Sequence, residues 1–242
     1  MATELLYLDD FDVLTAPAAV TAVTALDDGR MDVELDRTCF YPRGGGQDWD
    51  TGIIRAGDSV FTVEEVRLDE HGVVHHLGRG TVPEGAGVVL EVDAHRRAVN
   101  TRLHSAGHIV DLAVERLGLP WVPGKGAHYP HMSFVEYNGE VPGDAEQTRR
   151  QIEAEVAQVI GEGSTNEIRF MPVAEMAEYC RHVPENIPTN KPARIVLYNR
   201  TFGVPCGGTH VRDVADVGTL SITKIKSKKG VTKVSYAVDG VN

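Results

Sequence analysis

Across residues 1–93 apolar and polar positions alternate in short runs. A period of two marks a strand with one buried face. Runs at 20–26 and 31–35 flank Asp27-Asp28-Gly29-Arg30, and runs at 61–66 and 73–77 flank Asp69-Glu70-His71-Gly72. Both junctions carry the small polar residues that close β-hairpins. A further apolar run covers 88–92. No helical period precedes Asp93, so this stretch predicts a small β-barrel or sandwich.

The period then changes. Leu103, Ala106, Val110, Ala113 and Leu117 recur at helical spacing, with Asp93 or Asn100-Thr101 as cap and Gly118 and Pro120 as stop. Pro123-Gly124-Lys125-Gly126 reads as a glycine-rich loop and 131–137 as a strand. Pro142-Gly143-Asp144 opens a second helix, with Gln147 completing the cap and Ile152, Val156, Val159 and Ile160 on its apolar side. Pro172 opens a short third helix ending near Tyr179. Runs at 194–198, 217–225 and 231–238 predict strands, the last two joined across Lys228-Lys229-Gly230. The expected class is α+β, a barrel at 1–93 followed by an α+β domain at 94–242.

Charge divides at the same place. The chain carries a net −11, yet residues 1–93 hold 19 acidic and 6 basic residues, while residues 94–242 hold 16 and 18. The average would argue against a nucleic-acid partner; the second part alone does not. Lys224, Lys226, Lys228, Lys229 and Lys233 form one basic cluster, and Arg96, Arg97 and Arg102 a smaller one. Either they solubilise a hairpin or they form a phosphate-binding face. No apolar run is long enough to span a membrane, and MATELLYLDD is acidic where a signal peptide is basic. Three cysteines, Cys39, Cys180 and Cys206, make a disulfide framework unfavourable. The expected location is the cytoplasm.

His104-Ser-Ala-Gly-His108 places two imidazoles at i and i+4 on one helical face. Cys206-Gly-Gly-Thr-His210 adds a thiol and a third imidazole, with Gly207 and Gly208 letting the backbone fold so that they converge. Alone, either pair is ordinary. Together, His104, His108, Cys206 and His210 suit one tetrahedral zinc per chain, with cobalt or nickel also compatible. Four protein ligands describe a closed structural site; a catalytic one needs an open position, and spacing does not choose between them. Gly107 leaves either a gap for a ligand or a close helix–strand contact. Cys180-Arg-His182 is too short a spacing for a good second site, and His75-His76 point to opposite faces of a strand.

His-Ser-Ala-x-His at 104–108 with Pro-Cys-Gly-Gly-Thr-His-Val at 205–211 resembles the editing domain of alanyl-tRNA synthetase and its free-standing AlaX-type relatives. Cys39-Phe-Tyr-Pro-Arg-Gly-Gly-Gly-Gln47 followed by Asp50-Thr-Gly52 resembles the glycine-rich segment that precedes that domain. The resemblance implies a translation-factor-like barrel, then a two-layer α/β editing domain. It implies zinc on His104, His108, Cys206 and His210. It also implies trans-acting hydrolysis of serine or glycine wrongly esterified to alanine-specific tRNA. Two departures stand out: Gly124 precedes Lys125-Gly126 where a polar residue is usual, and Gly107 stands where threonine is common.

Such chemistry has a physical basis. A pocket for alanine excludes glycine poorly and rejects an added hydroxyl only about a hundredfold, so a second hydrolytic site is needed. Gly44, Gly45, Gly46 and Gln47, Lys125 and Gly126, and Gly207, Gly208 and Thr209 are the candidate substrate-binding residues. Thr209, Ser105, Ser133 and Gln47 are candidates to bond the serine hydroxyl, and backbone N–H groups at Gly207, Gly208 or 44–46 to hold an oxyanion. The Gly44–Gln47 segment reads equally as a flexible hairpin loop, and Gly-Gly-Gln also occurs in release factors. Lys224, Lys226, Lys228 and Lys229 would hold tRNA phosphates, with Tyr129, Tyr137 or Trp121 stacking the terminal adenine. His128 and His131 are candidate substrate contacts. No carboxylate stands out as general base; Glu136 reads as an exposed strand residue. The competing functions are an RNA-binding module with structural zinc and a zinc hydrolase of small esters or amides.

Overall fold

The computed structural model describes residues 1–185 and 187–241. It divides into two compact units, Met1–Ala98 and Val99–Asn242.

The first unit contains β1 (Glu4–Leu5), β2 (Thr15–Ala25), β3 (Met31–Leu35), β4 (Arg37–Thr38), β5 (Gly52–Ala56), β6 (Ser59–Leu68), β7 (Val74–Gly80) and β8 (Gly87–Val92). Six of them close an antiparallel barrel in the order β2-β3-β7-β6-β5-β8. β1 and β4 form a separate parallel pair. Alternation fills the interior with Val20, Val33, Leu35, Ile54, Phe61, Val63, Val66 and Leu90, and Phe40 and Cys39 join this core. A bulge between Val63 and Glu65 rephases β6, so that Val66 also turns inward. β5 is unpredicted because Ile53-Ile54 gives no alternation in so short a run.

The expected histidine pair behaves as strand geometry requires. His75 meets Asp32 at the surface through Nδ1 at 2.8 Å. His76 is fully buried: its Nδ1 donates to the Val33 carbonyl at 2.9 Å, and its Nε2 accepts from Thr38 Oγ1 at 2.9 Å. The basic cluster expected at the start of the first helix is dispersed. Arg97 is buried, its guanidinium on Asp50 and on the Cys39 carbonyl. Arg96 lies over Trp49 and donates to its carbonyl. The Gly44–Gln47 segment is a tight turn closed by reciprocal backbone bonds between Gly44 and Gln47, rather than a loose loop. Gly44 and Gly45 are exposed, Gly46 half-buried and Gln47 buried.

Helix α1 (Ala94–Arg116) crosses the boundary between the units, capped by Asp93 through the N–H groups of His95 and Arg96. The second unit then holds β9 (Val122–Tyr129), β10 (Met132–Asn138), α2 (Ala145–Glu162), β11 (Glu167–Met171), β12 (Ala193–Tyr198), β13 (Phe202–Pro205), β14 (Leu220–Lys228) and β15 (Val231–Val238). An antiparallel sheet runs β14-β15-β10-β9, and a second runs β11-β12-β13. α1 buries Leu103, Ala106, Ile109, Val110 and Ala113, and the first sheet contributes Val135, Tyr137, Val234, Tyr236 and Val238 to the core. α2 begins at the expected Asp144 cap, whose side chain accepts from Gln147 N–H, and it buries Ile152, Val156 and Val159. No helix among the described residues is long and apolar enough to cross a membrane.

The short helix expected after Pro172 is present as a 3-10 helix, Val173–Glu178. Two expectations change. The glycine-rich segment at 123–126 is strand, paired with β10 along the sheet edge. The run at 217–225 splits into a 3-10 turn, Val214–Val217, and β14, because Gly218 takes a positive φ of 75° between them. β11 and β13 were not predicted.

Strict alternation along β14 would put Ile222 and Lys224 on one face. A bulge between them prevents this: Ile222 is buried, while Lys224, Lys226 and Lys228 are exposed. The backbone at this point is held by α2, where Glu153 accepts from Ile222 N–H and Arg149 donates to the Ile222 carbonyl.

Candidate metal centre

α1 and the loop after β13 bring His104, His108, Cys206 and His210 together, with one donor atom of each within 4.8 Å of the others. Cys206 Sγ lies 3.2 Å from His104 Nε2. Donors at zinc bond lengths around a tetrahedral ion are separated by about 3.3–3.7 Å, so the spacing suits such an ion. Ring centroids are 5.1 Å apart for His104 and His108, 4.9 Å for His104 and His210, and 5.2 Å for His108 and His210. His108 Nε2 is sealed from solvent and has no hydrogen-bond partner, while His108 Nδ1 is taken by Asp111. Buried polar atoms are normally paired, so this lone pair within the donor cluster marks a place for a cation.

The donors are held from behind. His108 Nδ1 donates to Asp111 Oδ2 at 3.3 Å, and the Tyr137 hydroxyl donates to Asp111 Oδ1 at 2.7 Å. The Tyr198 hydroxyl bonds His210 Nδ1 at 2.7 Å. Arg194 donates to the carbonyls of Cys206 and Gly208, and Gly208 N–H to Cys206 Sγ at 3.3 Å. Gly208 also lies against the His104 ring, where a Cβ would fall 2.3 Å from Cε1. Asp111 was legible at i+3 from His108. Tyr198 and Arg194 carry no local signal, because β12 meets the site only through folding.

Electrostatics favour the metal-binding forms of His104, His210 and Cys206. Burial pushes His104 and His210 well below the ordinary imidazole range, and neighbouring imidazoles and Arg194 push further. Burial would raise the Cys206 thiol, but His108, Gly208 N–H and Arg194 outweigh it and hold it below its usual value. Burial would lower His108, but Asp111 and Cys206 outweigh it and hold it above its usual value. A cation taking His108 as a ligand would displace the proton that these groups favour on its ring.

His128 completes the inner wall. Its ring stacks on His104 at 4.7 Å and 30°. The gap at Gly107 is filled by this ring, since a Cβ there would fall 2.4 Å from His128 Cε1. Gly107 therefore serves a close helix–strand contact. Gly126 gives way in the same manner, 2.6 Å from Nε2.

The other candidate positions are placed as follows. Thr209 is buried with its hydroxyl 2.7 Å from that of Thr101. Ser105 Oγ accepts from Val211 N–H, and Ser133 Oγ donates to the Tyr129 carbonyl. Gly207 is exposed beside Cys206. Trp121 and Tyr137 are buried, with Trp121 Nε1 on the Glu140 carbonyl, so neither ring offers a stacking face. Tyr129 stacks on exposed His131 at 5.8 Å and 11°. Lys125 is exposed on β9, and Lys224, Lys226, Lys228 and Lys229 are exposed on β14 and its turn. Lys233 Nζ sits 3.2 Å from the Phe134 ring centroid, and Glu136 is cross-strand from Lys233. Arg102 is committed to the carbonyls of Val217 and Asp239. Cys180 is buried in the small core under β12.

Comparison with known proteins shows what the chain is similar to. The chain is 31% identical over 220 residues to the alanyl-tRNA editing protein AlaX-L of Pyrococcus horikoshii, covering 86% of this chain and 51% of that protein. The chain is a relative of the alanyl-tRNA editing proteins. It is also 30% identical over 247 residues to the alanine–tRNA ligase of Methanopyrus kandleri, covering 97% of this chain and 26% of the ligase. With the alanine–tRNA ligase of Nitrosopumilus maritimus it shares 31% identity over 254 residues, again 26% of the ligase. The chain thus spans about half of the editing protein and a quarter of each ligase. The family described as tRNA synthetases class II (A) matches residues 11–96.

Proposed function

We propose that this chain is a zinc-dependent hydrolase that removes wrongly esterified serine or glycine from alanine-specific tRNA in the cytoplasm. The observation that carries the reading is the convergence of His104, His108, Cys206 and His210, with a sealed unpartnered nitrogen on His108, in a relative of an alanyl-tRNA editing protein. These four residues would hold the ion. When bound, zinc adds fixed positive charge and orients groups beside the ester.

The remaining work falls to the chain's own groups. An aminoacyl ester is already activated, so catalysis needs a positioned water and donors aimed at the developing oxyanion. Gly208 N–H is committed to Cys206 Sγ, which leaves Gly207, exposed beside it, as the oxyanion donor from this loop. Asp111, Tyr198 and Arg194 fix the donor set from outside. The exposed lysines of β14 and its turn supply the phosphate-binding face expected of a tRNA partner, and Lys125 is assigned to the substrate.

Deacylation of seryl-, glycyl- and alanyl-esters of alanine-specific tRNA tests this reading. Release of serine or glycine that spares alanine and disappears in His104→Ala supports it. Salt-sensitive tRNA binding without ester release by zinc-loaded protein would replace it with a binding module. Turnover of minimal esters that ignores charge reversal at Lys224 and Lys226 would replace it with a small-ester hydrolase.

A further inference from the structure

His128 is 5% exposed, yet its two nitrogens have different fates. The Tyr236 hydroxyl donates to the Leu103 carbonyl at 2.9 Å, so its oxygen is free to accept from His128 Nδ1–H at 2.5 Å. That bond fixes the tautomer and leaves a lone pair on Nε2. Nε2 has no hydrogen-bond partner among the described residues. Unlike His104 Nδ1 and His108 Nε2, it is not among the atoms sealed from solvent. Two residues without side chains, Gly107 on α1 and Gly126 on β9, make room for this ring against His104. The hydroxyls of Ser105, Ser133 and Thr209 are each engaged in bonds that hold the fold.

We infer that His128 Nε2 is the hydrogen-bond acceptor that reads the serine hydroxyl of the substrate, making His128 a specificity-determining residue. The inference rests on the deacylase reading. A seryl hydroxyl donates to Nε2, whereas a glycyl or alanyl ester leaves a nearly buried acceptor facing no donor, and that mismatch penalises them. The orientation is independent of protonation, because Tyr236 and the glycine cradle hold the ring. The site therefore favours serine over glycine.

The test measures kcat/KM for seryl- and glycyl-tRNA, with zinc content, for the wild type, His128→Phe and Tyr236→Phe. Phenylalanine keeps a ring against His104 and fills the cradle but offers no acceptor. Its seryl reaction should fall about tenfold to a hundredfold, with the glycyl reaction within about threefold and zinc retained. Tyr236→Phe releases the tautomer lock and should lower the seryl reaction alone by about threefold to tenfold. Should His128→Phe fail to fold, Tyr236→Phe carries the same comparison. Equal losses on both esters, or lost zinc, would reduce His128 to a support for His104 and overturn the inference. An unchanged ratio of serine to glycine would overturn it as well. If the wild type releases neither ester, the deacylase reading itself fails; if it releases both and only the ratio is unmoved, the His128 assignment alone falls.

Discussion

Both units bury histidines, and they do so in opposite ways. In the barrel, both nitrogens of His76 are satisfied by the protein, through Thr38 and the Val33 carbonyl. In the second unit His108 is half-buried, but its Nε2 is sealed without a partner inside a cluster of four donors. Burial therefore does not distinguish a structural imidazole from a ligand. A leftover lone pair that converges with other donors does, because an unpaired buried polar group costs about 1–3 kcal/mol and a cation held by the cluster would relieve it.

The largest effect should come from removing a donor. Cys206→Ala should lower zinc affinity by more than about a hundredfold, beyond the loss usual for an outer partner, while His76→Gln leaves zinc content unchanged in the same chelator titration. Zinc loss in both variants would erase the contrast. In the barrel the costly change lies elsewhere. Asp50→Ala strands the buried Arg97 guanidinium and should destabilise the first unit by about 3–5 kcal/mol in denaturant melts, with zinc content intact.

His76 gives the barrel a pH signature. Burial pushes its pKa from 6.5 down to about 4. Between these values the unfolded chain binds the extra proton, so stability rises with pH across the window. The contribution is complete above pH 6.5 and is lost as pH falls toward 4, amounting to about 3 kcal/mol. The difference between wild type and His76→Gln should follow that slope; a flat difference would show that His76 is not held neutral.

The partners behind the donors should matter less than the donors. Asp111→Asn or Tyr198→Phe should weaken zinc by about tenfold to a hundredfold, measured by competition with a chelator. No change in either would leave the donor set self-sufficient. The smallest effect belongs to the surface: Lys226→Ala should reduce the salt dependence of tRNA binding by about one unit in slope, and an unchanged slope would remove Lys226 from the phosphate face.

Much of this was legible locally. The helical spacing of His104 and His108, the Asp144 cap and the hairpin at Lys229-Gly230 follow from short-range rules. Illegible were the features set by partners distant in the chain. Arg97 looked like surface charge until the fold put it on Asp50. Gly107 left two readings until His128 filled the space beside it. Thr209 looked available until Thr101 claimed it.

By itself the sequence determined the residue types and their periods: a barrel-like alternation, then helical periods, with one pair of metal donors on a helix and one in a glycine loop. Periodicity can do this because side-chain direction repeats along one element. Only the tertiary structure decided which lone pairs remain unmatched. That depends on contacts such as Tyr198 with His210 and Tyr236 with His128, which join different strands and loops and leave no periodic trace in the chain.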